Sequence, residues 1–287
     1  MSTSRLNVEE IASWDHLMKF ETMAATTTSP SSTVFYFRGQ SRERWSLVPS
    51  LTRIAVSARL TAEQALSLEF ALFKKFQAEA YRLLPPAMIP DTAARVNWLD
   101  WWTIMQHHGA PTRFLDWTTS LLVATYFAVA QGPDDDGAVW IFNIWPVVRQ
   151  MEKLHPEASL HGPKNMGPDP LFRRPSAPPS LIYVYQPDRM TDRMAAQQTV
   201  FTMSALPLTD HHTVLDTVFS QRPGYYGKLR IRKDLKEEIL IRLHRMNVTA
   251  RSLFPGLDGL GRSMAELACL ESYYHRKNQG LPREPTE

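Results

Sequence analysis

The chain predicts an α+β fold built as one compact domain, and three observations carry that expectation. Short runs of β-branched and aromatic residues, such as Val34–Phe37, Gly137–Asn143, Leu181–Tyr185 and Thr199–Met203, sit among longer stretches with helical apolar spacing. The two kinds of segment do not alternate strictly, so the parallel sheet of an α/β chain is not expected. A length of 287 residues with 44% apolar and 21% charged content is enough to bury a substantial core. No internal repeat and no heptad run is evident.

In chain order, residues 7–24 read as an amphipathic helix with Ile11, Trp14, Leu17, Met18 and Phe20 inward, so residues 1–30 form an N-terminal helical extension. Thr26 to Thr33 is rich in Ser and Thr and holds Pro30, a loop composition. Val34 to Phe37 follows as a buried strand. Thr61 and Gln64 make a capping box: the hydroxyl accepts from an orphan backbone N–H and the glutamine reaches back. Ala65, Leu68, Leu72, Phe76, Ala80 and Leu83 then share a helical face until Pro85-Pro86 ends it. Asn97 opens the next helix, with Trp98, Trp101, Trp102 and Met105 along it and His107 and His108 in its last turn. Gly109 suits the left-handed closing position, and Pro111 prevents continuation. Thr118 or Thr119 caps a further helix through Ala130, closed by Gly132. Gly137 to Asn143 is a strand, and residues 155–180, rich in Pro, Gly, Lys and Arg, are an irregular insertion. A strand at Leu181–Tyr185, a helix at Asp188–Gln197 and strands at Thr199–Met203 and Leu229–Arg232 come next. Asp234 with Glu237 caps a helix through Met246, and Leu257–Tyr274 is the final helix. The main domain spans 31–276 and residues 277–287 form a tail.

Composition excludes several classes of function. The net charge of +3, from 32 basic and 29 acidic residues, is too mild to imply nucleic-acid binding by itself. A single cysteine, Cys269, rules out an intramolecular disulfide framework and a cysteine-rich zinc site. It lies in an apolar helical pattern and reads as a core residue. The N-terminus lacks a basic-then-apolar leader. The longest apolar run, Leu121–Ala130, contains Thr125 and is too short to span a bilayer, so no membrane association and a cytoplasmic location are expected. P-loop, Gly-rich dinucleotide and nucleophile-elbow motifs are missing.

Two blocks concentrate polar groups. Arg38 stands where a strand gives way to Gly39-Gln40, and its planar fork of donors suits phosphate or carboxylate. Gly39 permits close approach of a ligand to the backbone. The second block runs from Gln106 to Ser120 and supplies His107, His108, Thr112, Arg113, Asp116, Trp117, Thr118, Thr119 and Ser120. Adjacent histidines on a helix point about 100° apart, which disfavours a shared metal, and no third ligand is evident, so no metal is expected. Asp116 serves either to brace Arg113 or a loop amide, or in catalysis. Free N–H groups at the helix start near Ser120 attract anions, and a phosphate there would sit near Arg113. Trp117 either stacks on a planar ring or belongs to the core. Gln197, just ahead of a strand, is placed to bond a sugar hydroxyl.

These blocks resemble the FRG domain family, named for its Phe-Arg-Gly motif. The resemblance rests on Phe37-Arg38-Gly39-Gln40, on Trp45 to Arg53, on Gln106 to Thr118, on Ala124 to Ala128, on Arg193…Gln197…Phe201 and on Leu253 to Asp258, in order over about 34–260. More remotely the chain is similar to ADP-ribosyltransferase-like domains. There an Arg-Gly strand, a Ser/Thr strand with a Tyr-Phe-Ala helix, and a late glutamate motif build the site.

That resemblance implies a split mixed or antiparallel central sheet flanked by helices, with a cleft between the first strand and the helix near Ser120. It implies NAD as substrate: Arg38 on phosphate or ribose, Trp117 or Tyr126 stacked on a base or nicotinamide, and Asp116 orienting substrate or stabilising positive charge. Gln197 would bond a ribose hydroxyl, and His107 or His108 would fix the loop or move a proton. Gly39, Gln40, Thr112, Arg113, Thr118 and Ser120 complete the expected binding set. The acceptor would be a protein or nucleic acid, in a toxin-like or phage-defence role. One departure is plain: Gln197 stands near the glutamate's place and cannot carry its charge. A non-catalytic nucleotide- or nucleic-acid-binding module, a hydrolytic chemistry through His107, His108 and Asp116, and a purely structural role are the competing readings.

Overall fold

The computed structural model describes residues 6–27, 34–86, 89–90, 98–154, 181–187, 190–220 and 224–281. Seven strands form one mixed sheet: β1 Asn7–Ile11, β2 Phe35–Gln40, β3 Phe114–Thr118, β4 Gly137–Asn143, β5 Ile182–Tyr185, β6 Thr199–Ser204 and β7 Tyr226–Ile231. Their order is β1-β7-β4-β2-β3-β6-β5. β1 lies parallel to β7, and every other pair is antiparallel. β2 pairs with β4 over six positions, but with β3 at one, Phe37 opposite Thr118. The sheet thus has a seam in its middle, where β2 and β3 part.

Helices cover both faces. They are α1 Trp14–Thr27, α2 Ser50–Ser57, α3 Ala62–Ala80, α4 Trp98–His107, α5 Leu121–Val129, α6 Ile144–Leu154, α7 Asp192–Ala196, α8 His211–Phe219, α9 Lys236–Arg245, α10 Ala250–Leu253 and α11 Leu257–Gln279. Side chains alternate across a strand, so each strand feeds two layers. Phe37, Val139 and Leu229 pack with α1, α5, α9 and α10 in one core. Phe114, Phe201, Met203 and Tyr183 pack with α3 and α4 in a second. Tyr36, Trp117, Trp140, Phe142 and Val200 form a third core with α6 and α8. Phe37 opposes Thr118 in the ladder, so the first two cores lie on the same face, one on each side of the seam. The third spans both halves on the opposite face. Trp101, Trp102, Trp117 and Trp140 are almost fully enclosed; burial of such rings contributes roughly 4–6 kcal/mol each by area.

Several expectations are corrected here. Residues 7–11 are a strand, not the start of a helix: their N–H and C=O groups pair with β7, and the helix begins at Trp14. Residues 114–118, read as loop and helix entry, form β3, and Ser120 rather than Thr118 or Thr119 caps α5 by accepting from the Val123 N–H. The capping box at Thr61 and Gln64 is present. Of the expected α3 face, Ala65 and Ala80 are buried and Leu72 and Phe76 pack against the second core; Leu66, Glu69 and Phe73 are buried as well, and Leu83, beyond the helix end, is 72% exposed. Asp234 pairs with Arg232 instead of capping α9, whose start has no side-chain cap. Cys269 is exposed on α11, outside the core. The 155–180 insertion and the Asn97 cap lie outside the described residues. No helix among the described residues is long and apolar enough to cross a membrane.

Candidate functional site

A cleft of about 230 Å³ opens over the seam between the two cores. Phe37 and Phe127 form its wall on the side of the first core, Met194 and Phe201 on the side of the second, and Arg38, Gln106, His107, Asp116, Arg193 and Gln197 give it polar groups. Four residues singled out in the sequence, Arg38, Asp116, Gln197 and His107, therefore meet in one recess although they lie up to 159 positions apart in the chain.

Arg38 reaches the cleft in an unusual way. By strand alternation it shares a side with Tyr36 and Gln40, away from Phe37. Its guanidinium crosses the seam. Nη1 donates to the Asp116 carbonyl at 2.5 Å, serving a β3 oxygen beyond the single β2–β3 pairing, and lies 3.9 Å from Asp116 Oδ2. Nε is buried without a hydrogen-bond partner. Burial lowers the Arg38 pKa and Asp116 opposes that; an arginine still stays charged at any ordinary pH.

Asp116 is held from the other side. Gln106 Nε2 donates to its Oδ2 at 2.9 Å, and Gln106 Oε1 accepts from the Thr112 hydroxyl at 2.6 Å. The Thr112 hydroxyl in turn accepts from the Phe114 N–H. This chain fixes which way the Gln106 amide faces and leaves the carboxylate, 46% exposed, at the cleft. Arg193 comes from α7: it stacks over Phe254 with its central carbon 4.8 Å from the ring, and Asp116 acts on it electrostatically. Gln197 follows at the C-cap of α7 and donates through Nε2 to the Leu253 carbonyl at 3.0 Å.

His107 stands at the edge of the recess, with Nδ1 3.4 Å from the Thr191 hydroxyl. Burial first, then His108 and Arg193, push its pKa down to about 4. The imidazole is therefore neutral at pH 7.

The other expected binding residues divide: Gly39, Trp117 and Thr118 line the cleft, and the rest lie away from it. Arg113 is fully buried in an ion pair, Nη2 to Glu69 Oε2 at 2.7 Å and Nε to Glu69 Oε1 at 2.9 Å, and lies over Trp102. Trp117 lines the cleft, but its ring packs edge-on to Phe142 in the third core and its Nε1 donates to Thr202. Asp116 and Trp117 are neighbours on a strand, so their side chains take opposite faces. Tyr126 is turned to Glu266, to which its hydroxyl donates, and Phe127 takes the cleft position. Gln40 bridges the Trp140 indole N–H and the Ser46 carbonyl. His108 is exposed outside the cleft, Thr112 is buried behind it, and Ser120 is committed to its cap. Thr118 lines the cleft while its hydroxyl accepts from the Ser120 N–H. Gly39 lines it too, but what demands a glycine is α5: an added Cβ would lie 1.8 Å from the Ala124 carbonyl oxygen.

Sequence reasoning passed over Gln106, Arg193 and Phe127 as site residues. Gln106 and Arg193 lie inside the quoted motifs, and Phe127 is one position from Tyr126. Among the described residues, no group of three or more His, Cys, Asp or Glu is placed to hold a metal ion.

Fold and cleft together define an α+β domain that presents an arginine-bearing recess at the seam of a mixed sheet. Residues 33–137 match the family model of the FRG domain, and the chain carries an FRG domain. The match takes in Arg38, Gln106, His107 and Asp116 and ends before Arg193 and Gln197. Comparisons with curated proteins and with solved structures find no match.

Proposed function

We propose that the cleft binds the nicotinamide-riboside end of NAD and promotes cleavage of its glycosidic bond. The observation that carries this reading is the convergence of two guanidinium groups, one carboxylate and two amides on a single recess walled by aromatic rings. Arg193, at the mouth, suits a phosphate. Asp116, pinned by Gln106, suits a ribose hydroxyl and opposes the positive charge that develops on the sugar as the bond breaks. Phe127 and Phe37 offer apolar walls for a planar ring. The bond from ribose C1′ to the ring nitrogen breaks, and its electron pair leaves with nicotinamide. Water, or a nucleophile on a protein or nucleic acid, forms the new bond and releases a proton. The similarity of the Arg38 and Asp116–Ala128 motifs to ADP-ribosyltransferase-like domains supports the same reading.

A second reading is binding without turnover. It is favoured by Gln197, whose neutral amide is already engaged with Leu253 where the resemblance implies a glutamate. Incubation with NAD and chromatographic detection of nicotinamide separates the two. Turnover predicts release by the wild type and a fall of roughly 100-fold in Asp116→Asn, the scale of removing one electrostatic group from a transition state. Arg38→Ala is expected to abolish release, with a melting curve to check that the seam survives. Binding without nicotinamide release selects the second reading; failure to bind NAD overturns both.

A further inference from the structure

The last helix, α11, has one face seated on the fold and a second that is apolar and open. Gly259, Ser263, Glu266 and Leu270 turn inward. Leu257, Leu260, Met264, Leu267 and Tyr274 stand roughly 100° around the axis from that set. They are exposed, Leu257 to 84% and Met264 to 51%. With Glu271 they recur at alternate steps of three and four residues, the seam spacing of a paired helix. Gly261 and Ala268 border this seam on its open side, so a second helix can come close. Single exposed apolar residues are ordinary on a protein surface, whereas five in one line mark a contact face.

We infer that this face joins two copies of the chain through an antiparallel pairing of their α11 helices. The apolar pattern complements itself. A two-fold axis near Ala265 and Glu266 sets Leu257 of one copy opposite Tyr274 of the other, Leu260 opposite Glu271, and Met264 opposite Leu267, each pair occurring twice. Charge complements itself in the same register. Gly256 gives the helix start no side-chain cap, so the N–H groups of the first turn present the positive end of the helix dipole. Glu271, exposed and the only charged side chain of the seam, falls beside that turn of the other copy. A parallel pair would instead set the two Glu271 carboxylates against each other. Asp258 and Arg262 leave the seam clear, because they line a groove beside Arg193. The net charge of +3 opposes association little. Five apolar side chains from each copy make a contact small beside that of a permanent dimer, so the pairing is reversible, with a Kd on the order of micromolar.

Sedimentation equilibrium of the full chain over about 1–500 µM tests this. Concentration-dependent dimerisation is the expected result. Met264→Glu is expected to weaken it at least about a hundredfold, because the seam then encloses an unpaired carboxylate from each copy. Leu257→Ser, at a position open to solvent, is expected to weaken it about tenfold. That variant keeps the test decisive if a melting curve shows that Met264→Glu disturbs the fold. Glu271→Gln is expected to weaken it about fivefold by removing both helix-end contacts. A chain that stays monomeric throughout, or a dimer indifferent to Met264→Glu and Leu257→Ser, overturns the pairing. Tighter association of Glu271→Gln, the sign expected of a parallel pair, overturns its antiparallel register.

Discussion

Two arginines show how context sets the role of a residue. Arg113 and Arg38 both stand in motif blocks, yet Arg113 is sealed against Glu69 and Trp102 while Arg38 bridges the seam to the cleft. The partner of Arg113 lies 44 positions upstream on a helix, and nothing local announces it. Breaking such a buried pair from one side leaves an uncompensated charge. Glu69→Ala is therefore expected to cost about 3–5 kcal/mol in urea unfolding; a loss below about 1 kcal/mol would show the pair to be energetically idle. His107 and His211 make a second prediction at this scale. Burial first lowers both, His107 to about 4 and the fully enclosed His211 to about 3, from 6.5. Each imidazole is held neutral in the fold, so its contribution to stability is complete above pH 6.5 and is lost as pH falls through 6.5 toward 3. The urea midpoint should decline over that interval. In His211→Phe the decline should be shallower, and an identical slope would remove His211 from the account.

At the scale of elements, the capping box of α3 and strands β2, β4, β5 and β6 were legible, because each carries its own turn chemistry or apolar pattern. β3 was not. Its five residues end against a helix cap, and the run of Thr118, Thr119 and Ser120 offers three competing cap positions. Recognition of that strand would have separated Asp116 from Trp117 by alternation alone. The exchange of Tyr126 for Phe127 has the same origin: successive residues on a helix point about 100° apart, and only the tertiary fold says which faces the cleft. α6 and α8 had signals that went unread, a proline in the first turn and an Asp210 cap. Contact between β2 and α5 makes a further prediction. Gly39→Ala would drive a methyl group into the Ala124 carbonyl, so α5 must shift from the sheet. Overpacking of this kind costs at least about 1–3 kcal/mol. A clear drop in melting temperature is expected, and an unchanged one would mean that α5 yields freely.

Across the whole molecule, the class of fold was legible from composition and segment order, but the seam was not. It depends on β2 meeting β3 at a single paired position, Phe37 opposite Thr118, 81 residues apart in the chain. The divided packing follows from it: two cores share one face, and the space between them is the cleft. That division also explains why motifs far apart in the chain converge. Arg38 comes from one half of the sheet, Asp116 from the other, and Arg193 and Gln197 from the short helix that leads into β6. The parallel placement of β1 beside β7 was hidden because residues 7–11 continue an apolar spacing into α1.

The most direct test of the account is a crystal structure of the protein grown with NAD. Electron density for the nicotinamide riboside over the seam, with a ribose hydroxyl on Asp116 and a phosphate on Arg193, is the predicted result. NAD ordered at another surface while the cleft holds only solvent would contradict it.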